Sequence, residues 1–324
     1  MGLATRLGFG NALFAIFLVA GQVLAQPFPS KPIQLVLPGS PGGGIDVVAR
    51  LLAKKLGESS GWQITVQNRT GAGGIIAAEF VAKAAADGYT LLLSDTGLLA
   101  VNPNIYSKLP YDPLKDFTPV MLAASPAFFL VSNAALPVQS VKELVDYVKA
   151  NPGLPFGTQG TGSQPHMAME LFNSLAGLRM THVPYKGTGE SVPALVRGDI
   201  KAMFITLAPV RSYVQAGTLR VLAVGTPKRS TVMPEVPTIA ESGLPGYDFS
   251  GSIGFVAPAG TSRNLIDRIN GEFARALATP EVAQRLVAFG FEPVGSTPGE
   301  YAEAIRAEIR LFGKLVKGTK GSME

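Results

Sequence analysis

The sequence predicts an α/β fold in two lobes, each built on a mostly parallel sheet flanked by helices. Three observations carry that prediction. Strand-like and helix-like runs alternate along most of the chain, the pattern left by parallel strands joined through covering helices. The length of 324 residues fits two compact domains better than one. Two glycine-rich turns, Pro38 to Gly44 and Gly157 to Ser163, lie far apart, and each sits between a strand-like and a helix-like run.

The elements follow in order. Met1 to Arg6 carries one positive side chain, Ala12 to Ala20 is apolar, and Val23-Leu24-Ala25 supplies small residues at the usual cleavage positions. This predicts a signal peptide over residues 1–25, cut after Ala25, and export to a periplasm. Ile33 to Leu37 is an apolar run bounded by prolines, hence a strand. Ile45, Val48, Leu52 and Leu56 share one helical face. Ile64 to Val66 and Tyr89 to Leu93 read as strands, with an alanine-rich helix from Gly74 to Ala86 between them. Ser140 and Glu143 form a capping-box pattern ahead of Val141, Leu144, Val145 and Val148. The second glycine turn leads into a helix through about Ala176, and a further helix over Val192 to Val196 stops at Gly198. Ala202 to Ile205 and Leu219 to Val224 are strands. A helical face at Leu265, Ile266, Ile269 and Phe273 follows, and Thr297-Pro298-Gly299-Glu300 starts a last helix to about Val316.

Composition narrows the function. Apolar residues make up 47% and charged residues 16%, enough to build a sizeable core. The net charge of +5 is scattered, without the clustered Lys and Arg of a nucleic-acid footprint. Cysteine is absent, which removes disulfides, thiolate metal sites and cysteine nucleophiles. The two histidines, His166 and His182, do not form a zinc-hydrolase motif, and neither glycine turn continues into a nucleotide-binding signature. No metal or cofactor is expected. A strand turning tightly into a helix instead aims bare backbone N–H groups, with the positive end of the helix dipole, at one point. Each turn is thus a candidate anion site, and two on separate lobes can grip one small acid.

Residues Lys31 to Arg50, with the string Pro38-Gly39-Ser40-Pro41-Gly42-Gly43-Gly44-Ile45-Asp46, resemble the opening of the Bug-type extracytoplasmic solute receptors. These are the binding proteins of tripartite tricarboxylate transporters. Further matches keep the family's order: Asn68 to Gly74, Asp87 to Leu92, Asn102-Pro103, Gly160 to Ser163 with His166, Val183 to Gly187, and Ala257 to Thr261. The resemblance spans nearly the whole chain after the leader. It implies a flytrap-like, two-lobed periplasmic binding protein, with residues 27–125 plus 250–324 in one lobe and 126–249 in the other. It also implies a carboxylate ligand in the cleft, membrane transporter subunits as partners, a monomer, and no chemistry on the ligand.

Position by position, the resemblance places Ser40, Pro41, Gly42, Gly43 and Asp46 of the first turn at the ligand. From the other lobe it places Thr158, Thr161, Gly162, Ser163, His166, Tyr185 and Ile205, and after the third strand Asp95 and Thr96. Asp46 either fixes the turn and favours the helix dipole, or meets ligand or its water. His166 either braces its loop or contacts ligand, and the loop hydroxyls can also cap their helix. Two positions depart from the family. Asp95 stands where a small residue is more common, and Ile205 where many members have Asp. Asp95 would repel a carboxylate but welcome an N–H, an ammonium or a hydroxyl; its other reading is a cap on the following segment. The tryptophan that the family often carries after the Tyr247-Asp248-Phe249 region is missing, the stretch here being Gly251-Ser252-Ile253-Gly254-Phe255, so aromatic stacking from that side is not expected. A ligand sensor that signals to a membrane kinase, or a secreted hydrolase, are the alternative functions.

Overall fold

The computed structural model of the protein describes residues 28–39 and 41–318. The expected leader and Ser40 lie outside the described residues. Strand β1 (Ile33–Leu37), helix α1 (Gly44–Ser60) and strand β2 (Ile64–Asn68) form a parallel β-α-β unit with Ile33 opposite Ile64. Of the α1 face predicted from Ile45, Val48, Leu52 and Leu56, the last three are fully buried and Ile45 is half-buried, and the helix stops at Gly61 in the left-handed region. Helix α2 (Ile75–Ala82) starts after a tight turn with φ of 62° at Gly73 and 88° at Gly74, and it ends at Lys83, short of the expected Ala86. Strand β3 (Thr90–Asp95) then pairs parallel with β1.

After helix α3 (Asn102–Ile105), strand β4 (Phe117–Pro126) closes the first passage, and only Ala127 and Phe128 separate it from strand β5 (Phe129–Asn133) of a second sheet. Helix α4 (Val141–Ala150) is capped as its sequence suggests. Ser140 Oγ accepts the Glu143 N–H at 3.2 Å, while the Glu143 carboxylate accepts the N–H of Gln139 at 2.7 Å. Strand β6 (Pro155–Thr158), helix α5 (Gln164–Ala176) and strand β7 (Thr181–Pro184) repeat the parallel β-α-β unit. Helix α6 (Thr188–Arg197), strand β8 (Ala202–Ile205), helix α7 (Arg211–Gln215) and strand β9 (Leu219–Val224) complete this passage. Strand β10 (Ile253–Pro258), helices α8 (Arg263–Leu277) and α9 (Pro280–Ala288), strand β11 (Phe291–Pro293) and helix α10 (Pro298–Gly318) return to the first sheet.

The sheets run β11-β4-β10-β3-β1-β2 and β7-β6-β8-β5-β9. Both are mixed rather than mostly parallel. Each holds a parallel trio, β3-β1-β2 or β8-β6-β7, beside an antiparallel strand, β10 or β5. Crossing between sheets reverses the chain, which alternation of strand and helix in the sequence cannot reveal. The shared plan makes the ends of β1 and β6 equivalent, and likewise the ends of β3 and β8.

Helix α10 ties the sheets together. Its start is a full capping box, with Thr297 Oγ1 accepting the Glu300 N–H at 3.3 Å and Glu300 Oε2 accepting the Thr297 N–H at 2.8 Å. Tyr301 and Ile305 join a core with Val36, Leu92 and Val256 of the first sheet, whereas Phe312 and Leu315 join a core with Leu130, Phe156 and Phe204 of the second.

Candidate functional site

The first glycine turn connects β1 to α1. Gly42 adopts φ of +79°, a conformation that side-chain-bearing residues rarely tolerate. Gly43 is the N-cap of α1 with extended backbone and no side-chain cap, so the N–H groups of the first turn have no acceptor within the helix. Asp46 fixes the turn from behind. Its Oδ2 accepts the Gly42 N–H at 3.0 Å and pairs with Arg50 Nε at 2.8 Å, and its Oδ1 accepts from Asn68 at 3.1 Å. Burial pushes the Asp46 carboxyl upward, but the hydrogen bonds from Arg50, Gly42 and Asn68 outweigh it and hold the group below the usual carboxylate range. Glycine at position 44 is a packing requirement: a Cβ there would stand 2.8 Å from the Phe291 ring.

The second turn connects β6 to α5. Ser163 is the N-cap, yet its hydroxyl does not cap the helix and donates instead to the Gly160 carbonyl at 2.7 Å. Gly162 has φ of +77° and donates its N–H to His166 Nδ1 at 3.0 Å. That bond requires a neutral imidazole with its proton on Nε2. His166 is fully buried and stacks on His182 at 3.9 Å between ring centres. Burial, reinforced by the neighbouring His182, pushes His166 down to about 3; burial takes His182 down to about 4. Thr158 Oγ1 bonds His182 Nε2 at 2.7 Å. The histidines therefore act as a neutral brace behind the loop.

The two turns face one cavity of about 400 Å³. Gly43, Gly44 and Asp46 line it from the α1 terminus, and Ser163 and Gln164 from the α5 terminus. The equivalent strand ends contribute Asp95 from β3 and Ile205 from β8, while Phe128, Ile253 and Phe291 add apolar wall. No Lys, Arg or His is among its lining residues, so backbone N–H groups and two helix dipoles are the positive features it offers an anion. A groove of about 570 Å³ near Tyr106 and Leu114 is larger, but neither glycine turn reaches it.

The family model described as "Tripartite tricarboxylate transporter family receptor" matches residues 48–320. The chain belongs to this receptor family. The receptor is 37% identical over 319 residues to Protein BugT of Bordetella pertussis, covering 97% of this chain and 98% of that protein. Among solved structures it resembles R. palustris Rpa4515 with adipate, at 36% identity and a TM-score of 0.82, covering 90% of this chain and 97% of the other. It also resembles MatC (Rpa3494) from Rhodopseudomonas palustris with bound malate, at 32% identity and a TM-score of 0.78, covering 89% and 100%.

Of the residues singled out from sequence, Gly43, Asp46, Asp95, Ser163 and Ile205 line the receptor's cavity. Pro41 and Gly42 are exposed and belong to the turn rather than the wall, and Thr161 is exposed on its loop. Thr158, Gly162 and His166 shape the second loop without lining the cavity, and Tyr185 packs against Gly157. Thr96 is buried and accepts the Ser252 N–H at 2.7 Å. Sequence reading missed Phe128, Gln164 and Phe291. Gln164 directly follows the second turn and was within reach of the loop-to-helix pattern. Phe128 sits on the short crossing between sheets, and Phe291 comes from β11 near the far end of the chain, so no local signal marks either. Phe128 and Phe291 give the cavity aromatic surface, and Phe128 packs edge-on against Phe249, beside the segment that lacks the family's tryptophan.

A polar chain runs behind the β3 end. Asp95 Oδ1 accepts the Leu98 N–H at 2.9 Å, so the residue caps the following segment and lines the cavity as well. Burial raises the Asp95 carboxyl, and the N–H groups of Leu98 and Gly97 oppose that rise. Ser252 bridges Thr96 Oγ1, at 3.1 Å, to Glu308 Oε2 of α10, also at 3.1 Å. Burial pushes Glu308 up to about 8, with Asp95 adding repulsion and the Ser252 and Thr96 hydroxyls opposing. The string Gly57-Glu58-Ser59-Ser60-Gly61 spells a hydrolase nucleophile motif, but it lies at the C-terminal end of α1, where Ser59 bonds the Lys55 carbonyl. It is not the strand-to-helix elbow that chemistry needs. Among the described residues, no helix is long and apolar enough to cross a membrane.

Proposed function

We propose that the cavity captures the carboxylate of a small organic acid in the periplasm and delivers it to the membrane subunits of a tripartite transporter. The observation that carries this reading is the convergence of two uncapped helix N-termini on one cavity whose lining residues include no cation. Hydrogen bonds to a charged carboxylate are each worth about 1.5–3 kcal/mol. Two relatives that hold adipate and malate agree with an acid ligand. Gly43, Asp46, Ser163 and Gln164 frame the carboxylate, and Phe128, Ile205 and Phe291 cover its carbon body.

The mature chain, cut after Ala25, works as a binding protein without reaction at the ligand. Sheets linked by the two-residue crossing at Ala127 and Phe128 swing together when ligand bridges the turns, so binding shifts the population toward a closed form. Thermal unfolding with a panel of mono-, di- and tricarboxylates tests the reading against the neutral amide of each acid. Ligand at about a hundredfold above its dissociation constant adds about 2.7 kcal/mol, a rise of roughly 5 °C in Tm for a chain of this size. Equal shifts from acids and amides, or no shift from any acid, would contradict it.

A further inference from the structure

The charged side chains lining the cavity are Asp46 and Asp95, both acidic. Asp46 is neutralised by Arg50 at 2.8 Å. Among the described residues, Asp95 has no ion-pair partner, and its hydrogen bonds come from backbone N–H groups of its own turn. The surroundings add acceptors rather than donors. A Cβ on Gly97 would lie 3.2 Å from Asp95 Oδ1 and 3.6 Å from the Gly162 carbonyl, so these two oxygens bracket one spot. Gln164, another lining residue and 93% buried by its 7% exposure, keeps Oε1 without a hydrogen-bond partner while its amide nitrogen donates to Ser252 O at 3.3 Å.

The cavity is therefore polarised. Helix N-termini face it with N–H donors, and the end of β3 faces it with the Asp95 carboxylate, which has no cationic partner among the described residues. The equivalent position on the other sheet, Ile205, is apolar and offers no counter-charge. A ligand that brings only carboxylates would set a second negative charge near Asp95 in a site closing away from water, where repulsion is strengthened. A hydroxyl would satisfy an acceptor but leave the charge. An ammonium does both.

We propose that Asp95 selects a ligand carrying an ammonium group as well as its carboxylate, so that the receptor prefers a zwitterionic amino acid to a dicarboxylate. The proposal rests on the carboxylate reading given above and adds the group at the opposite pole.

Calorimetric titration of the mature chain tests this with named probes. Succinate, glutarate and adipate are compared with γ-aminobutanoate, δ-aminopentanoate and ε-aminohexanoate, together with alanine, norvaline and norleucine. The best amino acid is expected to bind at least about tenfold more tightly than the best dicarboxylate. Asp95→Asn keeps an oxygen for the Leu98 N–H and should cost that amino acid at least about tenfold, while strengthening the best dicarboxylate at least about threefold because the repelling charge is gone. Asp95→Ser, which keeps a hydroxyl to cap the turn, gives the same result and guards against a folding artefact in the first variant. A dicarboxylate bound as tightly as every amino acid, or an amino acid unaffected by both variants, overturns the inference and leaves the carboxylate reading standing. Dicarboxylate binding that strengthens on acidification and is lost in Asp95→Asn overturns it too, because Asp95 would then be a protonated donor. Failure of every acid to bind overturns both readings.

Discussion

Replacing Glu308 by Gln should stabilise the receptor in mild alkali and have little effect in mild acid. The Glu308 carboxyl rises from 4.5 to about 8 because burial disfavours its charge and Asp95 repels it. A carboxyl with a folded pKa above its unfolded value holds its proton more tightly in the native state, so stability falls as pH rises between those values. At about 1.4 kcal/mol for each pKa unit, and with the side chain still partly reached by water, roughly 2–3 kcal/mol is lost between about pH 5 and pH 8. The Gln amide oxygen can still accept the Ser252 hydroxyl that now bonds Glu308 at 3.1 Å. Urea unfolding at intervals from about pH 5 to pH 9 reads the difference directly. Asp95 also contributes a falling slope, and because its repulsion with Glu308 is mutual, removing the Glu308 charge also relieves Asp95 and enlarges the difference between the two proteins. Parallel profiles for the two proteins would refute the assignment of a buried, reluctant acid on α10.

Other expectations follow from the turns. His166 and His182 are held down at about 3 and about 4, so their stabilising contribution, complete above the unfolded value of 6.5, should drain away as pH falls below it. In the Glu308→Gln background unfolding should show this acid limb, and an imidazole resonance of His166 titrating near 6.5 would refute it. Asp46→Ala removes the acceptor of Gly42, Arg50 and Asn68 and should cost about 1–3 kcal/mol along with much of the acid affinity; unchanged urea midpoint and binding would count against the turn's dependence on it. Gly162→Ala meets φ of +77° and a Cβ 2.9 Å from Ile105, costing about 1–2 kcal/mol, and calorimetry should show weaker acid binding with native circular dichroism. A bulky side chain at Gly43, which stands on the cavity wall in ordinary backbone geometry, should reduce affinity with little loss of stability.

The parts of this architecture written in local sequence were legible. Proline-bounded Ile33 to Leu37 is a strand at the expected residues, the Thr297 to Glu300 box opens α10, and the two glycine turns meet at one cavity. Features that depend on chain return were not. β10 and β5 lie antiparallel beside the parallel trios, and that sense is set by crossings between sheets, not by any run of residues. The same limit applies to the site. Asp46 and Asp95 sit next to the turns and strands that announce them, whereas Phe291 reaches Gly44 from a strand almost 250 positions later. Glu308 reads as an ordinary charged position on an amphipathic helix, and only the approach of Ser252 and Thr96 from elsewhere makes it a half-buried acid with a raised pKa.

The most direct measurement is an amide NMR titration of the mature receptor with a small carboxylate that binds it, run beside the neutral amide of the same acid. The N–H resonances of Gly43, Gly44 and Ile45 and that of Gln164 should move together and downfield with the acid alone. Shifts confined to one turn, or centred on the groove around Tyr106 and Leu114, would contradict the account.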